Sequence, residues 1–556
     1  MSVLQRQFDR MLKKVASFVG ALIALLVAMG LTRRDSTSGS PVACGGASGP
    51  RYASSLRSLR PRWTAFLSIL QCRRAQGPDL QLPRLIWVLS GVLVIGAVAM
   101  VLLWLPGTST SLAQPQEKGS AADKTSPSGD LYSFVGAESC GGSACHGNSA
   151  PRTKLRIGQN EFYIWSQKDR HAKAYEVLTN ADSKRIAQNL RIDKPEAAHR
   201  CLVCHALDVE EGRQGKNFDM TEGVSCEACH GPAEQWLGPH IRKDWDAKRA
   251  ATYGMYNTKD MAVRADKCLG CHLGVGQDVV DHELIGAGHP RLKFELDNYS
   301  HVMPAHWQPP KDKPARDWLG VKTWAVSQAV ALRNQLQLFG ANRKSKMGLF
   351  PDLVHFDCFA CHHDVVDRLG TLTDEEKKLQ RWRTKEYGGK PGRLVWNASS
   401  YAVLRHIVQQ VSPEQGKTLD QQVRAFHEIV TGKRSSDGFE TILKGLIELS
   451  DQLVVKVGQH AFTQQNTLAL MRAIAADGRT FSNLGFQSAE QAVLALASLY
   501  DAYTDAVGAL PEDKTVKQAI DALYKDVKDG RQFNPAQFES DLAKVRNAVA
   551  GAAGAS

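Results

Sequence analysis

No cysteine follows Cys361, and only three acidic residues precede residue 107. The first absence excludes disulfide staples and thiolate chemistry from the last third of the chain, where no recognisable catalytic set replaces them. Sustained apolar-polar alternation is missing as well, so strands are not expected and the fold class is mainly α. Aromatic residues are 7% and charged residues 23% of 556, and hydrophobic residues reach 43%, which excludes a collagen-like or disordered chain. The formal net charge of +12 is local: residues 1–106 hold 13 Lys+Arg against 3 Asp+Glu, and the remainder 56 against 54. A basic nucleic-acid surface on the main body is thereby excluded.

Leu85 to Leu105 is a hydrophobic stretch of 21 residues without a charge. At about 1.5 Å per residue it spans about 31 Å and is predicted to be a transmembrane helix. Residues 1–32 hold a shorter hydrophobic segment, Val15 to Leu31, behind Arg6, Arg10, Lys13 and Lys14, and read as a signal-like or interfacial element. Residues 33–84 carry nine Arg and two Asp, which places them in the cytoplasm, with Cys44 and Cys72 as free thiols. Residues 106–130, rich in Gly, Ser, Thr and Pro, read as a flexible linker. Residues 131–390 then face outward, into the periplasm of a bacterial inner membrane or an equivalent space. From 391 to 556 recurrent helical spacing predicts a bundle-like domain.

Ten of the twelve cysteines lie between Cys140 and Cys361. Four pairs have two intervening residues and a histidine directly after: Cys201-Cys204-His205, Cys226-Cys229-His230, Cys268-Cys271-His272 and Cys358-Cys361-His362. Two thiols at this spacing can add to the two vinyl groups of one haem, and the next histidine then falls beneath the iron. Zinc knuckles, redox Cys-x-x-Cys pairs and disulfides are the lesser readings. Cys140 and Cys145 are separated by four residues and followed by His146. They read as a fifth, widened attachment site, against a local disulfide beside an unrelated histidine. The cofactor expected is covalent haem c, five copies in all and four by the strict motif.

Several pieces between residues 134 and 275 resemble the cytochrome c-554 family, tetrahaem electron carriers. They are Trp165 with His171-Ala-Lys-Ala174, Cys201 to His205, Thr221-Glu-Gly-Val-Ser-Cys226 through His230-Gly-Pro232, His240, and Cys268 to His272. The widened first signature, a longer stretch before His171, the site at Cys358, the anchor and the helical C-terminal part depart from the family pattern. The resemblance implies a multihaem domain wrapped around stacked haems, with His171 and His240 as distal iron ligands. It also implies that one iron face can stay open.

His289, mounted in the turn Gly288-His289-Pro290, is the third distal candidate. His301, His306, His355 and His363 are weaker ones, and His199 and His282 weaker still. His406, His427 and His460 sit in helical patterns far from any attachment site and read as ordinary helix histidines. The function expected is electron transfer between redox protein partners by a cytochrome anchored through its N-terminal helix. The alternative is an oxidoreductase acting on a small nitrogen or sulfur compound at an open haem. No Cys-x-x-Cys-Lys string occurs, which removes lysine-ligated catalytic haem and favours the carrier.

Overall fold

The computed structural model describes residues 132–152, 157–276, 278–307, 318–344, 351–360, 394–432, 434–530 and 532–551. All belong to one compact unit, Glu117–Ser556. The transmembrane helix expected at 85–105, the segments 1–32, 33–84 and 106–130, and Cys361, His362 and His363 lie outside the described residues. Among the described residues no helix is long and apolar enough to cross a membrane.

The described structure is helical, with three isolated β-bridges, among them Phe134 with Gln214 and Phe356 with Trp396. Its first part has short helices: α1 (Glu161–Lys168), α2 (His199–His205), α3 (Cys226–His230), α4 (Met261–His272) and α5 (Leu296–Val302). Longer ones follow: α6 (Leu319–Lys344), α7 (Ser399–Val411), α8 (Pro413–Val430), α9 (Phe439–Gln459), α10 (Gln464–Ala475), α11 (Gly478–Leu484), α12 (Phe486–Val507), α13 (Asp513–Asp526) and α14 (Pro535–Gly551).

Sequence chemistry sets several of these boundaries. Thr463 and Asn466 form a capping box that starts α10. Glu295 accepts from the amides of Asp297 and Asn298 at 3.0 and 2.9 Å, capping the first turn of α5. Gly485 begins α12 at φ +101°, and a Cβ there would stand 2.8 Å from the Asp357 carboxyl carbon, so only glycine fits.

The two parts differ in what fills them. α6 packs on α9 and α4, α7 on α12, α8 on α9, α10 on α12 and α13 on α14. One continuous apolar core runs through them, with Trp324, Trp396, Phe426 and Phe481 fully enclosed. This core also takes in Ala265, Leu269 and Leu296, so it extends across residue 390 into α4 and α5. Polar ties reinforce the join. Glu490 of α12 meets Arg291 at 2.6 Å and Lys293 at 3.1 Å, and Asn298 donates to the Leu494 carbonyl at 3.0 Å. The only other apolar cluster among the described residues is small: Leu178, Leu202 and Ala206. A stretch of this length without its own side-chain core requires another apolar mass.

Candidate haem-binding site

Three signatures are built as helices: Cys201, Cys204 and His205 in α2, Cys226, Cys229 and His230 as α3, and Cys268, Cys271 and His272 at the end of α4. Helical positions i, i+3 and i+4 share a face, so each helix presents two thiols and one imidazole together. The widened signature reaches a similar result through a loop. His146 donates its backbone N–H to the Cys140 carbonyl at 3.1 Å, which folds the histidine back over the first cysteine while residues 141–144 bulge out. Gly147 packs so tightly on this loop that a Cβ would overlap the Gly141 carbonyl oxygen. Cys358 sits in a 3-10 turn, Cys358–Ala360, with Phe359 5.0 Å from Phe486 of α12.

Cys140, Cys145, Cys201, Cys204, Cys226, Cys229, Cys268 and Cys271 are free thiols. No cluster of three or more His, Cys, Asp or Glu side chains among the described residues converges on a bare metal ion. Thiols of different signatures do meet: Cys140 lies within hydrogen-bonding reach of Cys226, and Cys204 of Cys271. Cys229 is exposed to solvent, yet desolvation pushes its thiol up to about 11.

The histidines sort into pairs. His146 and His240 have ring centres 6.2 Å apart with planes 19° from parallel. His171 and His272 are also 6.2 Å apart, and His205 and His289 6.3 Å, with interplanar angles of 88° and 87°. A metal–imidazole bond of about 2.0 Å and about 1.1 Å from nitrogen to ring centre put two rings on opposite sides of one ion about 6.2 Å apart. All three separations fit an iron held by two imidazoles.

The other ring nitrogens fit the same role, since a ligating histidine commonly donates its second N–H and thereby fixes the ring. His205 Nδ1 donates to the Ala174 carbonyl at 3.0 Å, His240 Nδ1 to the Leu237 carbonyl at 2.7 Å, and His289 Nδ1 to the Pro290 carbonyl at 2.7 Å. His146 Nδ1 instead donates to Glu161 Oε2, and His171 Nδ1 to Asp169 Oδ1, both at 2.9 Å. Nε2 is thus left for the ion in five of the six. Desolvation works to raise the two carboxyls, but their histidine and backbone bonds hold both below the ordinary carboxylate range. His272 stacks on Phe294 at 4.5 Å, and desolvation lowers it to about 4, which keeps it neutral and able to ligate.

His230 is likewise lowered to about 4, by desolvation first and then by the charge of His306, and its buried Nδ1 has no hydrogen-bond partner. His230 belongs to none of the three pairs, and His306 is the histidine whose charge acts on it most strongly.

Seven other described histidines are placed elsewhere. His355 is buried against Phe339 at 4.9 Å, and His301 Nδ1 donates to the Asp297 carbonyl at 2.8 Å. His199 is held between Asp208 and Asp278, His406 by Asp477, and His460 by Asn466. His282 and His427 belong to α-helices outside the three pairs.

Sequence reasoning missed three acidic residues at the site. Glu161 and Asp169 back two of the histidines, and the Asp169-x-His171 spacing was the one available signal for the second. Glu227, between Cys226 and Cys229, is 1% exposed and accepts from the amides of Val135, Gly136 and Ala233 at 2.9, 2.8 and 2.7 Å. It ties the chain leading into the first signature to the third.

Paired thiols with adjacent imidazoles, opposed second imidazoles and no side-chain core of their own define a c-type cytochrome. Residues 139–231 match the model of the family described as cytochrome c554 and c-prime, and this supports assignment to the cytochrome c-554 family over that segment. The cofactor implied is covalently bound haem c, the activity electron transfer, and the partners redox proteins. No curated protein and no solved structure gives a match.

Proposed function

We propose that this protein is a membrane-tethered, outward-facing pentahaem cytochrome that relays electrons between redox protein partners. The observation that carries the reading is the set of three opposed histidine pairs at 6.2 to 6.3 Å. Cys140, Cys145, Cys201, Cys204, Cys226, Cys229, Cys268, Cys271, Cys358 and Cys361 would hold five haems. His146, His205, His230, His272 and His362 would serve as proximal ligands, with His240, His289 and His171 opposite the first, second and fourth. Haem c supplies a one-electron iron couple, which paired imidazoles keep at low potential. The chain's own work is to fix ring orientation through Nδ1 and to bring attachment points of different sites together. The Cys140–Cys226 and Cys204–Cys271 neighbours support direct passage between sites. The run at 85–105 and the arginines of 33–84 support the anchor and its orientation.

A pyridine haemochrome assay on the full chain from a host that matures c-type cytochromes should count five haems per polypeptide, in the membrane fraction. A count of zero would refute the cytochrome, and full recovery in the soluble fraction would refute the tether. His230 favours a second reading, an open iron at the Cys226–Cys229 site that takes a small nitrogen or sulfur compound. A ferrous carbon monoxide difference spectrum tests it: binding at one haem favours the open iron, and no binding removes it.

A further inference from the structure

The histidine pairs are alike in separation but not in what stands behind them. At the Cys201–His205 site both Nδ1 atoms face neutral carbonyl oxygens, those of Ala174 and Pro290. At the Cys140–His146 site, Glu161 accepts the His146 Nδ1 hydrogen bond at 2.9 Å, opposite the carbonyl-backed His240. At the Cys268–His272 site, Asp169 accepts the His171 Nδ1 hydrogen bond at 2.9 Å. An anion on the far side of an imidazole increases electron donation to the metal and favours the more positive, oxidised iron. A neutral carbonyl does this less.

We propose that Glu161 and Asp169 are positioning residues that lower the potentials of the first and fourth sites and leave the Cys201–His205 site, of the three, to accept the first electron. The inference rests on the haem reading above and adds to it an order among the sites. Burial ranks the two residues. The Asp169 side chain is 5% exposed and the Glu161 side chain 19%, so water screens Asp169 less and its effect is the larger. Asp169 also accepts from the backbone amide of His171 at 3.0 Å, a role that asparagine retains, so Asp169→Asn removes charge while keeping an acceptor. Glu161→Gln does the same at the first site.

The test is a spectroelectrochemical titration of the full-length holoprotein with EPR sampling, comparing wild type, D169N and E161Q. One couple should move to more positive potential in each variant, further in D169N than in E161Q, with unchanged haem count and a low-spin spectrum. Unmoved couples with all haems present and low-spin would overturn the inference while leaving the cytochrome intact. Absence of haem from the wild-type protein would instead overturn the reading beneath it. Should a neutral variant fail to mature, Glu161→Asp and Asp169→Glu keep the charge and displace the oxygen. A positive shift then supports the inference, and an unmoved couple overturns it.

Discussion

Replacing Glu227 by alanine should loosen the chain on the approach to the first haem signature without unfolding the helical bundle. The carboxylate accepts three backbone N–H groups at 2.7 to 2.9 Å. Opening of residues 135–137 in the wild type breaks two of these bonds, those from Val135 and Gly136. A hydrogen bond to a charged group contributes about 1.5–3 kcal/mol, so two contribute about 3–6 kcal/mol before offset. The offset is real, because desolvation outweighs those bonds and raises the Glu227 carboxyl above its ordinary range. Removing it relieves that cost and leaves a net loss of about 2–4 kcal/mol, on the order of 100-fold in the opening equilibrium. Hydrogen exchange on the holoprotein reads this directly. The amides of Val135, Gly136 and Ala233 should lose about two decades of protection, while those of α12 stay unchanged. The bonds from the Phe134 amide to Arg213 and from the Gly215 amide to Phe134, at 2.8 and 2.7 Å, keep the opening local. Protection within threefold of wild type at all three amides would refute the assigned role.

Other outcomes follow from the site and its surroundings. Parallel imidazoles split the iron d orbitals that π-bond with them and perpendicular ones do not. The oxidised protein should therefore give one rhombic low-spin EPR signal from the His146–His240 site and two highly anisotropic ones from the other two pairs. Three alike would contradict the ring angles. Gly147→Ala should lose one covalent haem by intact mass, since its Cβ has no space beside Gly141; a full complement would show that the loop yields. Asp297 is raised to about 7, first by desolvation and then by Glu295, with Asp501 adding to the effect and His301 and Ser498 opposing it. A carboxyl raised on folding contributes stability that is complete below its unfolded value and is lost as pH rises through the folded one. The melting temperature should thus fall between pH 5 and pH 8, and Asp297→Asn should flatten that slope; an equal slope in the variant would exclude Asp297 as its source.

The sequence carried the helical signatures well, because thiol and imidazole positions at i, i+3 and i+4 follow from local spacing alone. It also carried the helical character of the second part, where first turns are polar and the apolar register becomes visible only further inside. α8 begins at Pro413 although its first buried aliphatic side chain is Leu419, and α10 at Gln464 although its first is Leu468. The stretch 172–190, which reads as a single helical pattern, is broken at Asn180, whose side chain caps a new helix, Ala181–Asn189. The carboxylates behind His146 and His171 were illegible for another reason: a second-layer contact depends on where the backbone returns in space, which periodicity does not encode. The same holds for the reach of the core across residue 390, because an apolar stripe on α6 does not say which helix will cover it.

That shared core sets a practical limit on how this protein can be cut. Ala265 and Leu269 of α4, one turn or less from Cys268, share one apolar core with helices that arrive much later in the chain. An expression fragment ending near residue 390 would keep α6 against α4 but strip from α6 the helices that complete the core around it. The late helices serve as the housing of the cofactor region, and any trimmed version intended for crystals or electrodes has to carry them through α14.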